Sequence, residues 1–349
     1  MTQSEINSIL RSGAIIRLPF GKVRLWKGPF KPLADEKSQV FSLAWMEFFG
    51  SQPRFWASSD PVIETEVSVL RGILKEVMNE EVFSASNFMQ PSFEKFQESF
   101  QEIQGRIHRG EVEKAVPVVF AQSPIIPQVA QRARMIFNAL EAHPELFVFG
   151  CWDGSSGILG ATPEVLFHLK DQTLKTMALA GTKPRAEQES LLRDTKELRE
   201  HQLVIQDLKQ RLEKLGWVKV GDTHIAEFGT LSHLRTYLEA EVSITSISDL
   251  IKRFHPTAAL GVFPRNYGIQ WMEKLPYQDQ RGLQGGPIVF SLSHSESLAL
   301  VAIRCLQWSE NGSQIGVGCG IVEQSDLQKE WKELALKREA IVKVLGLAP

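Results

Sequence analysis

The sequence predicts a mixed α and β fold, on three observations. Segments with apolar residues at steps of three and four alternate, from about residue 93 onward, with short dense apolar runs. No unit recurs at a fixed period, as it would in a solenoid. The chain has 349 residues, of which 43% are hydrophobic and 23% charged, an ordinary globular composition with length enough for a large core.

Taken in order, residues 1–92 mix aromatics, prolines and short apolar runs, and we read them as an accessory segment packed on the core rather than an independent domain. They end in SASNFMQPSFEKF, a polar connector into a helix. Residues 93–349 then form the functional core. VEKAVPVVF (112–120) reads as one strand, with Val112, Lys114, Val116, Val118 and Phe120 in one register, so that Lys114 lies on an apolar face. SLLRDTKELREHQLVIQDLKQRLEKLG reads as a helix with Leu198, His201, Ile205, Leu208, Leu212 and Leu215 on one face and Gly216 as its stop. His201 is the only polar member of that face.

SLALVAIRCLQW (297–308) is apolar in both registers, as in a strand covered on both sides, and Arg304 interrupts it. A covered guanidinium requires a nearby anion. The last segment opens with Ser325 and Gln328 at capping-box spacing and runs through Trp331, Leu334, Ile341 and Leu345 as a C-terminal helix.

Charge and composition exclude several function classes. A net charge of −2 without a basic tract disfavours a nucleic-acid partner. No apolar stretch of membrane-spanning length and no signal pattern is present, so we expect a cytoplasmic protein with no membrane partner. Cys151, Cys305 and Cys319 are widely spaced among apolar or glycine residues and read as buried reduced thiols. The glycines of GVGCGIV lack the spacing of a dinucleotide-binding turn. His233 and His255 read first as hydrogen-bonding residues of core or loop.

Two helices carry the same acidic pair. Glu197 and Glu200 are three apart on the first, and Glu330 and Glu333 three apart on the last, so each pair projects from one helical face. Brought together, the faces would form an oxygen-only pocket suited to Mg²⁺. Such spacing is also common on solvated helices, and Glu333 with Lys337 has the order of a surface ion pair.

In order along residues 93–347, the blocks GEVEKAVPVVFAQ, GATPEVLFHL, TMALAGTKPR, DTKELREHQLV, LSHLRTYLEAEV, HPTAALGVFPR, DQRGLQGGP, VAIRC, GVGCGIVEQSD and KEWKELALK resemble the chorismate-utilising enzymes. That family comprises isochorismate synthases, salicylate synthases, anthranilate synthase large subunits and aminodeoxychorismate synthases. PRFWASSD (53–60) is similar to the end of its variable N-terminal part. The resemblance implies an α+β fold of the anthranilate synthase component I type, with two large, mostly antiparallel sheets packed together and helices outside. It implies that Glu200 and Glu333 hold Mg²⁺ directly, with Glu197 and Glu330 acting through water. The metal would bind the ring carboxylate of chorismate, aided by Gly181, Thr182, His233 and Lys337. Arg304 and the backbone of Gly318, Cys319 and Gly320 would take the enolpyruvyl carboxylate.

Within the family, Lys114 matches the lysine that activates water, and Glu164 matches the acid that protonates the departing C4 hydroxyl. An apolar surround would tune both groups for those tasks. Amine-transferring members carry glutamine at the first position, and aminodeoxychorismate synthases a nucleophilic lysine where this chain has Ala180. Salicylate synthases usually carry threonine in place of Ala259. The resemblance therefore implies an isochorismate synthase of the menaquinone or siderophore type, with no obligatory glutamine amidotransferase partner. Gln284, Gly261, Val262, Pro117 and Cys319 depart from the family pattern, leaving a weakened chorismate-binding protein as an alternative alongside the salicylate-forming and amine-transferring members.

Overall fold

The structure is a computed structural model that describes residues 2–36, 40–78, 82–243 and 246–348. Two antiparallel sheets lie face to face. The first has eight strands in the order Ile63–Thr65, Val23–Lys27, Ser12–Arg17, Phe147–Asp153, Ser156–Thr162, Cys305–Ser309, Gly312–Gly318 and Val118–Ser123. The second runs Val218–Val220, Leu231–Glu241, Thr173–Pro184, Val165–Lys170, Glu296–Val301, Pro287–Ser293, Leu43–Trp45, Arg54–Ser58 and Phe30–Leu33, with His224–Phe228 pairing on Leu231–Glu241. The N-terminal residues are thus hydrogen-bonded into the edges of both sheets.

Side-chain alternation explains the layering. In Ser12–Arg17, Ala14 and Ile16 point into the core between the sheets, where they meet Phe149, Ile158, Met177, Phe290 and Leu300, while Ile15 points to the other side. That outer side of the first sheet is covered by Gln3–Arg11, Phe93–His108, Val129–Ala139 and the C-terminal helix Leu327–Leu345. Helices Thr195–Leu212 and Ile247–Phe254 cover the outer side of the second. Among the described residues no helix is long and apolar enough to cross a membrane.

Four sequence expectations change in detail. The strand expected over 112–120 is two strands, because Pro117 supplies no N–H to a ladder. Lys114–Ala115 pairs with Val262–Phe263 in a small sheet of its own, and only Val118–Ser123 joins the eight-stranded sheet. The strand expected over 297–308 is also two strands, and they belong to different sheets. Between them the chain crosses over at Ala302–Arg304, with Arg304 in the left-handed region at φ 52°.

The helix expected from SLLRDTK begins at Thr195, where Asp194 Oδ1 accepts from the N–H groups of Lys196 and Glu197, and ends at Leu212 rather than at Gly216. Its buried face is rotated toward the acidic residues, with Glu197, Glu200, His201, Asp207 and Arg211 beside Leu203, Val204, Leu208 and Leu212. The C-terminal helix is capped by Asp326, which accepts from the Lys329 N–H, and not by Ser325. Ser92 caps Phe93–His108 where the connector was expected to end.

Candidate active site

Helices Thr195–Leu212 and Leu327–Leu345 bring their acidic faces together around a cation supplied by the chain. Lys196 Nζ lies 3.2 Å from Glu197 Oε1, 3.2 Å from Glu200 Oε2 and 3.1 Å from Glu330 Oε1. Glu333 instead pairs with Lys337 at 2.6 Å, and Lys337 also donates to the Gly318 carbonyl at 2.8 Å. The Glu333–Lys337 pair is thus largely buried, not the solvated helix pair its spacing alone suggests.

Burial raises the carboxyls of Glu197 and Glu330, and neighbouring carboxylates reinforce this against the pull of Lys196. Burial raises Glu200 too, but Lys114, Lys196 and Lys337 outweigh it and hold this carboxylate low. Glu330 Oε2 is buried and makes no aligned hydrogen bond, with the Ser325 hydroxyl beside the carboxylate. Among the described residues no three acidic, histidine or cysteine side chains are arranged as they stand to hold a metal ion.

Lys114 is fully buried, and its surround is not simply apolar. Its Nζ lies 3.1 Å from Glu200 Oε1 without the alignment of a hydrogen bond. The strand that carries it is clamped from two sides: Ala115 exchanges hydrogen bonds with Ile321, and Val116 N–H donates to the Gly261 carbonyl. Gly320 lets the two meet. A Cβ there would stand 2.1 Å from Glu200 Oε1 and 2.7 Å from Lys114 Cε.

Next to this cluster is a chamber of about 80 Å³ walled by Glu164, Gly181, Thr182, Glu200, His233, Arg304, Gly318, Gly320 and Lys337, with Ala180, Ala259 and Gln284 among its other walls. A second chamber of about 300 Å³ shares Arg304 and Ile341 with it. Of the residues singled out from sequence, Lys114, Cys319, Glu197, Glu330 and Glu333 lie behind the wall rather than on it. Cys319 is buried, and its thiol is pushed well up chiefly by that burial.

Each wall residue has a local cause. Gly181, at φ 77°, is the extra residue of a β-bulge between Ala180 and Thr182, and the bulge turns the Thr182 N–H onto Glu197 Oε2 at 2.8 Å. Thr182 Oγ1 bonds His233 Nδ1 at 3.0 Å, and the other ring nitrogen accepts from Arg304. Burial first, then Arg304 and Lys337, keep His233 neutral by pushing its pKa well below normal. Arg304 is lowered to about 10 by burial and drawn back up by Glu164. Burial pushes Glu164 up to about 7 against the opposing pull of Lys114, Lys337 and Arg304.

Three supports escaped the sequence reading. Lys196 is the first, although its i to i+4 spacing from Glu200 was visible. Buried Arg281 is the second: it sits over the Phe48 ring and donates to the carbonyls of Val116, Leu260 and Gln284, bracing three wall residues. The third is the buried Asp207–Arg211 pair, which holds the Ala258 N–H and the carbonyls of residues 253, 254 and 256, and so shapes the turn that presents Ala259. His255 lies outside the chamber and donates to the Phe48 carbonyl. Gln284 donates to the Gly316 carbonyl and accepts from Cys305.

Comparison with known proteins matches residues 59–346 to the family described as chorismate binding enzyme. The chain is 28% identical over 274 residues to anthranilate synthase component 1 of Acinetobacter calcoaceticus, covering 73% of this chain and 54% of that protein. It is 29% identical over 220 residues to the salicylate biosynthesis isochorismate synthase of Pseudomonas aeruginosa, covering 59% and 46%. The match thus spans about half the length of these relatives. The solved menaquinone-specific isochorismate synthase from Escherichia coli superposes with a TM-score of 0.79 at 20% identity, covering 99% of this chain and 91% of that one, and so shares its fold.

Proposed function

Because this chain belongs to the family of chorismate binding enzymes, we propose that it is a Mg²⁺-dependent isochorismate synthase, adding water at C2 of chorismate as the C4 hydroxyl departs. The observation that carries this reading is a buried lysine and a buried, proton-holding carboxyl at one chamber. Lys114 lies behind the wall, against Gly320, and Glu164 stands on the wall with its pKa raised by burial to about 7.

In this reading the oxygen of water bonds to C2, both ring double bonds shift, from C1=C2 and C5=C6 to C1=C6 and C4=C5, and the C4–O bond breaks. Lys114 takes the proton from the attacking water, and Glu164 gives its proton to the leaving hydroxyl, which departs as water. Arg304, oriented by neutral His233, and the backbone of Gly318 to Gly320 hold the enolpyruvyl carboxylate. Thr182, Lys337 and the Gly181 bulge border the ring carboxylate.

The acidic cluster fits a hard cation. Its donors are all oxygens, three of its carboxylates already converge on one positive charge, and Glu330 Oε2 is left over. Glu200 and Glu333 would hold Mg²⁺ directly, with Glu197 and Glu330 through water. Bound there, the ion would supply a Lewis acid for the ring carboxylate.

Ala180 and Ala259 lie on the wall, and the family resemblance implies that alanine at the first position goes with water as nucleophile and alanine at the second with arrest at isochorismate. With water as nucleophile, no amidotransferase subunit is required. The HPTAA turn (255–259) is similar to the menaquinone-type enzymes, and the reading includes a cytoplasmic location.

The test is product analysis. Protein incubated with chorismate and Mg²⁺, then resolved by chromatography, should yield isochorismate, with turnover lost in excess chelator and restored by Mg²⁺. Lys114→Gln should lower turnover by ~10² to 10⁴ with little change in KM, the usual worth of one general base. Chorismate recovered unchanged, or an aminated product formed as readily from ammonium, would contradict the assignment.

A further inference from the structure

The position of Lys196 is electrostatically odd. It occupies the first turn of helix Thr195–Leu212, the positive end of the helix dipole, where a cation is disfavoured. It is nevertheless largely buried, with its ammonium within 3.2 Å of carboxylates from two helices that are far apart in sequence. Glu197, Glu200 and Glu330 explain its burial, and it explains theirs. Without a central positive charge three carboxylates so close together would repel one another and turn outward.

We propose that Lys196 is the resident counter-ion of this cluster and that a divalent cation enters by exchanging with it. The inference rests on the metal reading above and adds how the empty site is kept assembled. The ammonium holds Glu197, Glu200 and Glu330 in convergent positions, while Glu330 Oε2 makes no aligned hydrogen bond and can turn to an incoming ion. The flexible four-carbon stem lets the ammonium swing out toward solvent as the ion arrives. Metal affinity is then set by competition as well as by the donors. The lysine keeps the site ordered at the cost of weaker binding, so that metal can come and go with substrate.

Mg²⁺ titrated calorimetrically into metal-free wild-type protein, Lys196→Gln and Lys196→Arg tests this, each protein first checked for cooperative thermal unfolding. Removing a unit charge a few ångströms from the site should make Lys196→Gln bind Mg²⁺ about tenfold or more tightly than wild type. Its melting temperature should also rise further on Mg²⁺ addition. Lys196→Arg, which keeps the charge, should stay near wild type. If the glutamine variant does not fold, Lys196→Met offers the same loss of charge on a stem of similar length. Equal or weaker Mg²⁺ binding by the folded, uncharged variant overturns the exchange while leaving the metal site standing. No binding by any of the proteins removes the metal reading and the exchange together.

Discussion

Glu164 is a carboxyl whose titration the fold moves close to neutrality. Burial raises it to about 7 although Lys114, Lys337 and Arg304 all pull the other way, so desolvation wins. An unfolded glutamate titrates at about 4.3. The stability linked to this group is therefore fully present below that range and is lost as pH rises through about 7. In the proposed reaction the same proton is the one required at C4, so wild-type turnover should fall as pH rises through about 7. Glu164→Gln should be slow at every pH and should lose this part of the pH dependence of thermal stability. A pH–rate profile and melting curves check both, and an unchanged alkaline fall in Glu164→Gln would assign the titration to another group. From sequence, the tetrapeptide ATPE indicates the residue but not its surroundings, because the chamber wall is built from segments more than a hundred residues away, among them Arg304 and Lys337.

At the scale of elements, short irregularities position the site. Pro117 breaks a strand so that Lys114 leaves the large sheet for a small clamp, the Gly181 bulge aims a backbone N–H at Glu197, and the Ala302–Arg304 crossover sets Arg304 between the two sheets. Gly320 is the tightest of these points. In Gly320→Ala the new methyl would need the space of the Glu200 carboxylate, and both Glu200 and Lys114 would have to shift. Because the atoms displaced are side-chain ends, the variant should fold with only a modest loss in melting temperature. Its Mg²⁺-dependent turnover should fall about tenfold or more, as misplacement on an ångström scale commonly costs. Wild-type turnover in Gly320→Ala would show that Glu200 and Lys114 need not touch. Periodicity revealed the two acidic helices and the apolar run around Arg304. It could not reveal the crossover, since a run apolar in both registers reads alike whether it stays in one covered sheet or passes between two. The rotation of helix Thr195–Leu212 was hidden for a related reason: Leu198, Ile205 and Leu215 mark an apolar stripe, but burial of Glu197, Glu200 and Asp207 depends on partners from elsewhere in the chain.

For the whole molecule, the two-sheet sandwich draws together residues that the sequence spreads from Lys114 to Lys337. The antiparallel sheets and outer helices were legible through the ordered blocks resembling the chorismate-utilising enzymes, whereas composition left other α and β arrangements open. Residues 1–92 were legible as a segment packed on the core but not as edge strands of both sheets, because hydrogen-bonded continuity leaves no mark on local pattern. The central claim is that water, activated by Lys114, becomes the new hydroxyl at C2. Its most direct test is the reaction of chorismate and Mg²⁺ in ¹⁸O-enriched water, with the early product identified by mass and fragmentation. The account predicts isochorismate carrying one ¹⁸O at C2. Unlabelled isochorismate, or an early product that is aminated or has lost pyruvate, would contradict it.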